Sequence, residues 1–458
     1  MNKRIFLSII IAAELLFVFG CNAPREQLLA YNNYFEASDF NSASGYAEKK
    51  IHKGKNPDGD DLLWTLQAAA ARRILKDFNS STQYFDTAEK DLHYYDTRFS
   101  LDEVTAIAIN DNAMPYKGEE YDGVMANTYK ALNFMSENKP DLARVEFNRA
   151  IDRQRRTKEK FEKEISERKA QIDKMPYGNL VNQTTSDPKM EQTLHDKYPQ
   201  LYEYQAYKDY INPFVTYLAS VYFNATGEPS TARDLLKETY GLVPENKYVE
   251  AEFKETEELL AKNENFKNTV WVVFENGLGP VKEEFRIDLP LFVATSRVLY
   301  AGIALPKLKY RDIAFSYLQI EADGKSYDTA VVSNMDRVIH SEFKKDFESI
   351  LFRAIISTTG KVVAQYALSQ QDSAAANIGS IMIAAYSFAT NAADVRIWTS
   401  LPKDFQIARF PKPQNKMLKI TPLNAQPFDI ELPDCDNVLV YIKIINRNSR
   451  PVCNIIPL

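Results

Sequence analysis

The sequence predicts an α+β protein, with an N-terminal run of α-helical hairpins followed by a β-rich domain. Three observations predict it. Small and large apolar residues recur at helix-pair spacing through the first half of the chain. The tetrapeptide Asp39-Phe40-Asn41-Ser42 returns as Asp77-Phe78-Asn79-Ser80. From about residue 265 the pattern changes to short β runs closed by Gly, Pro and Asn.

The clearest hairpin is Tyr121 to Arg153, two amphipathic segments joined by the polar turn Asn138-Lys139-Pro140. Ala131, Phe134, Ala143, Phe147 and Ala150 follow one another at spacings of 3, 9, 4 and 3. Alanines let two helices approach closely, and aromatics fill the groove beside them. These are the packing positions of a tetratricopeptide-like hairpin, a unit of about 34 residues that must stack on neighbours to bury its apolar face.

Three further hairpins share that register. Gln27 to Ile51 and Asp61 to Tyr95 carry the repeated tetrapeptide at their turns, where Asp, Asn and Ser cap free N–H groups. A fourth places Ser220, Phe223, Ala232 and Leu236 at the same positions, with Pro244 closing it. Residues 152–200 form an insertion. It begins as a charged helix with sparse apolar residues and continues as a polar loop. Leu201 to Tyr222 is expected to be helical, with Tyr202, Tyr204, Tyr207, Tyr210 and Tyr217 largely on one face.

The second half, residues 265–458, reads as a β-sandwich-like domain. It opens with Thr269 to Phe274 and continues through Glu283–Leu289, Tyr300–Leu305, Ala314–Glu321 and Tyr327–Val332. A helical hairpin is inserted at about residues 333–397. Strands resume at Phe405–Phe410, Lys416–Ile420, Phe428–Leu432 and Val438–Ile445. Ser373 to Ala393 carries no charge, but its alanines and polar residues favour packing on Phe347–Ala364 over crossing a bilayer.

Residues 1–20 are an export signal: Lys3 and Arg4 precede a short apolar run from Ile5 to Phe19. Gly20-Cys21 then resembles a bacterial lipobox, which implies cleavage before Cys21 and lipidation of its thiol. Asn22 stands where inner-membrane retention usually has Asp, so the expected address is the outer membrane, facing the periplasm. The mature helical domain is residues 21–264. Cys435 and Cys453 are the other cysteines, and an exported chain permits a disulfide between them as well as two free thiols.

Composition limits the function. A net charge of -6 without a basic cluster argues against nucleic acid. His52, His93, His195 and His340 stand apart, with no metal-ligand spacing, so neither a metal nor a cofactor is expected. No Gly-x-Ser-x-Gly elbow or phosphate-binding loop occurs, and Lys282 replaces the third glycine of a dinucleotide fingerprint begun by Gly277 and Gly279. Asn56 to Asp61 departs from a calcium loop and reads as a turn. Arg396 is expected to pair locally with Asp394, and Trp398 to pack where helix meets sheet.

Several short motifs stand in a telling order: Tyr116-Lys117-Gly118, Tyr129-Lys130-Ala131-Leu132, Ala143-Arg144-Val145-Glu146 and Asn212-Pro213-Phe214-Val215. Gly277 to Lys282, Asp394 to Trp398 and Leu401-Pro402 follow. In this order the chain resembles a family of functionally uncharacterised bacterial lipoproteins with a tetratricopeptide-like N-terminal half and a β-rich C-terminal half. The resemblance implies a role in envelope biogenesis and supplies no catalytic residues. The expected function is a non-catalytic scaffold that binds another envelope protein. The alternative is a protein that binds or processes envelope glycan, peptidoglycan included, in an acidic, tyrosine-lined cleft.

Overall fold

The computed structural model describes residues 23–52, 54, 56–98, 114–172, 186–202, 204–292, 298–369 and 393–458. Within them the first half is helical and the second half carries the sheets. The expected export signal at residues 1–20, Cys21 and all but the last residue of the uncharged run Ser373–Ala393 lie outside the described residues.

The helices come in consecutive pairs: α1 (Ala23–Glu36) with α2 (Phe40–Glu48), and α3 (Asp61–Ile74) with α4 (Phe78–Arg98). Next are α5 (Glu120–Ser136) with α6 (Pro140–Ile172), and, after α7 (Pro188–Lys197), α8 (Pro213–Ala225) with α9 (Pro229–Leu242). Helix α10 (Lys247–Lys262) closes the series.

The four pairs turn in the same way. Each first helix ends on one left-handed residue: Ser38, Lys76, Asn138 and Gly227, with φ of 63°, 61°, 55° and 80°. The next residue donates its N–H to the carbonyl five positions back, as Asp39 to Tyr34, Asp77 to Arg72, Lys139 to Phe134 and Glu228 to Phe223, at 2.8–3.0 Å. That bond satisfies a carbonyl left over at the helix end. Four residues further on comes a small, fully buried side chain: Ala43, Ser81, Ala143 or Ala232. The repeated tetrapeptide acts at equivalent atoms, since Asp39 accepts from the Ser42 N–H at 3.1 Å and Asp77 from the Ser80 N–H at 3.2 Å. Ala131, Ala143, Phe147, Ala150, Ser220, Phe223, Ala232 and Leu236 are buried, and Phe134 packs half-buried against the same core.

The second half holds β1 (Thr269–Asn276), β2 (Val281–Phe292), β3 (Val298–Lys309), β4 (Leu318–Ala322), β5 (Lys325–Asp328) and β6 (Ala330–Asn334). After helix α11 (Met335–Ser369) come β7 (Asp404–Pro411), β8 (Met417–Pro422), β9 (Phe428–Glu431), β10 (Val438–Ile444) and β11 (Val452–Pro457). They form a five-stranded sheet ordered β11-β10-β1-β7-β6, a four-stranded sheet β5-β4-β8-β9, and the separate ribbon β2-β3. Strand β1 is the centre of the large sheet, parallel to β10 and antiparallel to β7. It is buried along its whole length, which its near-continuous apolar run requires.

Two expectations change. The helix expected over Leu201–Tyr222 starts only at Pro213, because a residue before proline leaves the helical region and Asn212 caps instead, accepting from the Phe214 N–H at 3.1 Å. The preceding chain forms short turns at Pro199–Tyr202 and Lys208–Tyr210, so the five tyrosines do not share a helix face. The strand expected from Ala314 begins at Leu318, since the Asn276 side chain holds Ala314 and Phe315 in a loop by accepting their N–H groups at 3.1 and 3.2 Å. Of the helical insertion, the described residues show one long helix, followed at Ala393 by irregular chain. Cys435 and Cys453 are both free: Cys453 pairs with Ile442 inside the β10–β11 ladder, whereas Cys435 precedes β10. Strand β11 was not anticipated, because Pro451, Asn454 and Pro457 interrupt its apolar pattern.

The two halves share one core. The Phe214 ring on α8 stacks on Phe405 of β7 at 3.6 Å. Gln67 on α3 donates to Thr399 and accepts from Ser400, at 2.7 and 2.8 Å. Glu275 on β1 accepts from Tyr129 of α5 at 2.9 Å, from Tyr441 of β10 at 2.6 Å, and from Lys443. Arg73 lies between the faces of those two tyrosines. A buried carboxylate with several charge-assisted donors is compensated; removal of one partner would leave it costly.

Candidate functional site

A group of buried titratable side chains surrounds the first turn of α5. Tyr116-Lys117-Gly118 leads into it. Gly118 has φ of 79°, a left-handed backbone that favours glycine, and a Cβ there would press on the ends of Leu92 and Leu62 at 2.7 and 3.0 Å. The turn is closed by Asp122, which accepts from the Tyr116 hydroxyl at 2.6 Å and from the Glu119 N–H at 2.9 Å. Its other oxygen is buried without a hydrogen-bond partner.

Helix α11 supplies the opposing wall. Glu342 accepts the free N–H groups of Glu120 and Tyr121, at 2.9 and 3.1 Å, and so caps α5 from a distant element. One turn later Asp346 approaches Glu119. Lys282 of β2 reaches Glu119 at 3.4 Å, and Lys345 lies 3.2 Å from Asp346. Behind them Arg396 binds Asp394 at 2.8 Å, Asp60 at 2.7 Å and the Met114 carbonyl at 2.7 Å. The expected local pair of Arg396 with Asp394 is present, and Trp398 is buried against Phe85 and Tyr129.

Burial governs the protonation of this group. It pushes Glu119 up to about 8, helped by the adjacent Asp346 carboxyl and opposed by Lys282 and Lys345. Burial, then the Glu119 charge, raises Glu342 well above the carboxylate range. Burial lifts Asp122 to about 6 against the pull of Tyr116 and the Glu119 N–H. Burial alone would lower Lys282, but the carboxylates of Glu119, Asp394 and Asp346 outweigh it and raise it. The site therefore holds protons near neutrality. Glu119 and Asp346 keep about a fifth of their side-chain surface exposed, so they form its solvent-facing rim. A carboxyl raised toward neutrality at a solvent-facing rim is the kind of group that proton transfer uses. Among the described residues, no three His, Cys, Asp or Glu side chains are arranged to hold a metal ion.

The tyrosines do something else. Residues 198–207 run antiparallel along α11, one aromatic per turn. Tyr198 packs on Phe347 at 4.9 Å, Tyr202 lies under Lys344, Tyr204 meets His340 at 5.3 Å, and the Arg337 guanidinium covers Tyr207 at 3.9 Å. Tyr210 meets Phe161 of α6 at 4.9 Å, and Tyr217 donates to buried Glu252 at 2.9 Å. They bind the strap to the fold and do not line a common cleft. His340 accepts or donates at Tyr310, 2.9 Å away, and burial lowers it to about 4, so it is neutral near pH 7.

Sequence reasoning missed Glu119, Glu342 and Asp346. The signal was present: Glu342 and Asp346 stand four apart on one helix face, and Glu119 with Asp122 opens a helix with capping spacing. Several of the motifs singled out in the sequence meet here: Tyr116 to Gly118, Lys282, and Asp394 to Arg396. No family model matches the chain, and neither a curated protein nor a solved structure is similar to it.

Proposed function

We propose that this chain is a non-catalytic scaffold of the bacterial envelope, held to the outer membrane by lipid on Cys21 and binding another envelope protein through its helical hairpins. The carrying observation is the common turn of four hairpins, each with a left-handed residue, a bond reaching five residues back and a small buried residue four further on. That regularity supports reading them as tetratricopeptide-like repeats, which commonly offer extended surfaces to partners. Leu142 and Val145, one turn apart on α6, are 46% and 44% exposed, and such apolar residues on a repeat helix suit a protein contact. The Tyr327–Phe410 stack at 4.5 Å, joining the four- and five-stranded sheets, supports a sandwich-like second domain.

A photo-crosslinker placed at Leu142 or Val145 in intact cells tests the reading. A reproducible protein adduct, lost with Leu142→Asp and Val145→Asp, is expected. Fatty-acid labelling should vanish with Cys21→Ala; equal labelling would remove the anchor from the proposal.

The raised carboxyl of Glu119, with Asp346 beside it, favours a second reading, a protein that processes envelope glycan. Saturable turnover of peptidoglycan fragments, abolished by Glu119→Gln and accompanied by no crosslinked partner, would replace the scaffold with it.

A further inference from the structure

The strap that lies along α11 is fastened by side chains. Arg337 covers the Tyr207 ring and donates to the Gln205 and Ala206 carbonyls. The Tyr207 hydroxyl accepts from the Asn334 N–H at 2.9 Å. Gln205 and Ala206 are exposed, and among the described residues neither takes part in a backbone–backbone hydrogen bond. A segment held in this way opens at lower cost than a sheet or a helix. At its far end Asp209 and Tyr210 stand in succession at φ of 56° and 61°. Two adjacent side chains in the left-handed region put the closed strap under strain, and a shift of the chain would release it.

Polar atoms beneath the strap are poorly matched. Tyr198 Oη and Gln200 Nε2 on the strap, and Asp336 Oδ1 and His340 Nε2 on α11, are buried without a hydrogen-bond partner. Water would satisfy all four if the strap lifted. His340 is fully buried, midway along the interface. Tyr204 of the strap lies against its ring, and the Tyr310 hydroxyl meets its Nδ1 at 2.9 Å. Among the described residues, the charges around it are mostly positive. On its own helix Arg337 stands three residues before it and Lys344 four after. Lys403, just before β7, lies over the Tyr310 ring, and Arg311 follows Tyr310 and binds Glu36. Asp336, one turn earlier on α11, is bonded to Lys403.

We propose that residues 198–211 form an acid-released strap, held closed by His340 while its ring is neutral and freed when the ring takes up a proton. In the closed form a proton on Nε2 has no acceptor within hydrogen-bond reach and faces the charge of Lys344. Burial, then Lys344, lowers the imidazole to about 4 against a weaker pull from the nearby Leu201 main chain, whereas an imidazole in water keeps 6.5. Between those values the open form binds a proton that the closed form refuses. Opening is therefore favoured as pH falls from about 6.5 toward 4, and is indifferent to pH above that range. Asp336 acts with the opposite sign, because burial raises its carboxyl. The device depends neither on a partner nor on lipid at Cys21.

Thiol labelling reads the opening. In the full chain with Cys21→Ser, Cys435→Ser and Cys453→Ser, Leu201→Cys places a thiol on the buried side of the strap, and Tyr202→Cys places an exposed one beside it. The ratio of their labelling rates by an aromatic disulfide cancels the reagent's own pH dependence. That ratio should rise about twentyfold between pH 7 and pH 5. Added His340→Gln, which cannot titrate, should remove the rise. Added Lys344→Gln, at an exposed position, should shrink it by relieving the charge that opposes the imidazolium. Ala219→Cys, fully buried in α8, reports on opening of the whole fold and should not follow the strap. A ratio that does not change with pH, a rise undiminished by either substitution, or an equal rise at Ala219→Cys would each overturn the proposal.

Discussion

Glu119 acquires its proton from its surroundings, and the sign of the effect is fixed. Its native value of about 8 lies above the ordinary 4.5, because burial and the Asp346 charge penalise the anion. Between those values the native chain holds a proton that the unfolded chain has released. The stability tied to Glu119 is therefore complete below about pH 4.5 and lost as pH rises through about 8. Glu119→Gln, which mimics the protonated form, should flatten that part of the profile: the fall in melting temperature between about pH 5 and 8 should be smaller than in the wild type. Parallel profiles would show that Glu119 ionises freely. At this scale the sequence was a partial guide. The Arg396–Asp394 pair could be read from two residues only two positions apart, whereas Glu119 and Asp346 are 227 positions apart and meet only through the fold.

The hairpin turns make the corresponding argument for elements. Each needs one residue at positive φ, and only the fourth turn uses glycine there. A side chain in that region costs about 1 kcal/mol relative to glycine. Gly227→Ala should therefore destabilise by about 1 kcal/mol, and Lys76→Gly should stabilise by a similar or smaller amount, both read from urea midpoints. A Lys76→Gly variant less stable than wild type would show that the turns are not equivalent. The hairpins were legible because their small and aromatic positions repeat along the chain. Residues 201–212 were misread because tyrosines at near-helical spacing imitate an apolar face, while Asn212-Pro213 already marked the true helix start. Those tyrosines follow the period of α11, the helix they lie against, and α11 is distant in sequence.

Across the whole molecule, buried polar side chains are shared between the two halves. Gln67, Tyr129 and Glu252 on the helices complete hydrogen bonds with Ser400, Glu275 and Trp271. Separating the halves breaks these hydrogen bonds, each worth about 0.5–1.5 kcal/mol between neutral partners and about 1.5–3 kcal/mol at a carboxylate. Unfolding followed by far-ultraviolet circular dichroism, which weights the helices, should coincide with unfolding followed by fluorescence of Trp271 in β1. Two resolved transitions would contradict this. The α+β division and its place near residue 265 were legible from the change in periodicity. The parallel pairing of β1 with β10 was not, because nothing local specifies which distant strand a buried apolar run will meet.

That pairing also has a consequence in time. Strand β1 emerges from the ribosome well before either of its sheet neighbours, since β7 and β10 both follow the whole of α11. Until they arrive, Val270 to Phe274 is an apolar β segment with two open edges, the kind of segment that aggregates. A nascent chain in that condition is open to aggregation until β7 and β10 have been made. The sheet that buries β1 on both edges closes only when β10 has been made.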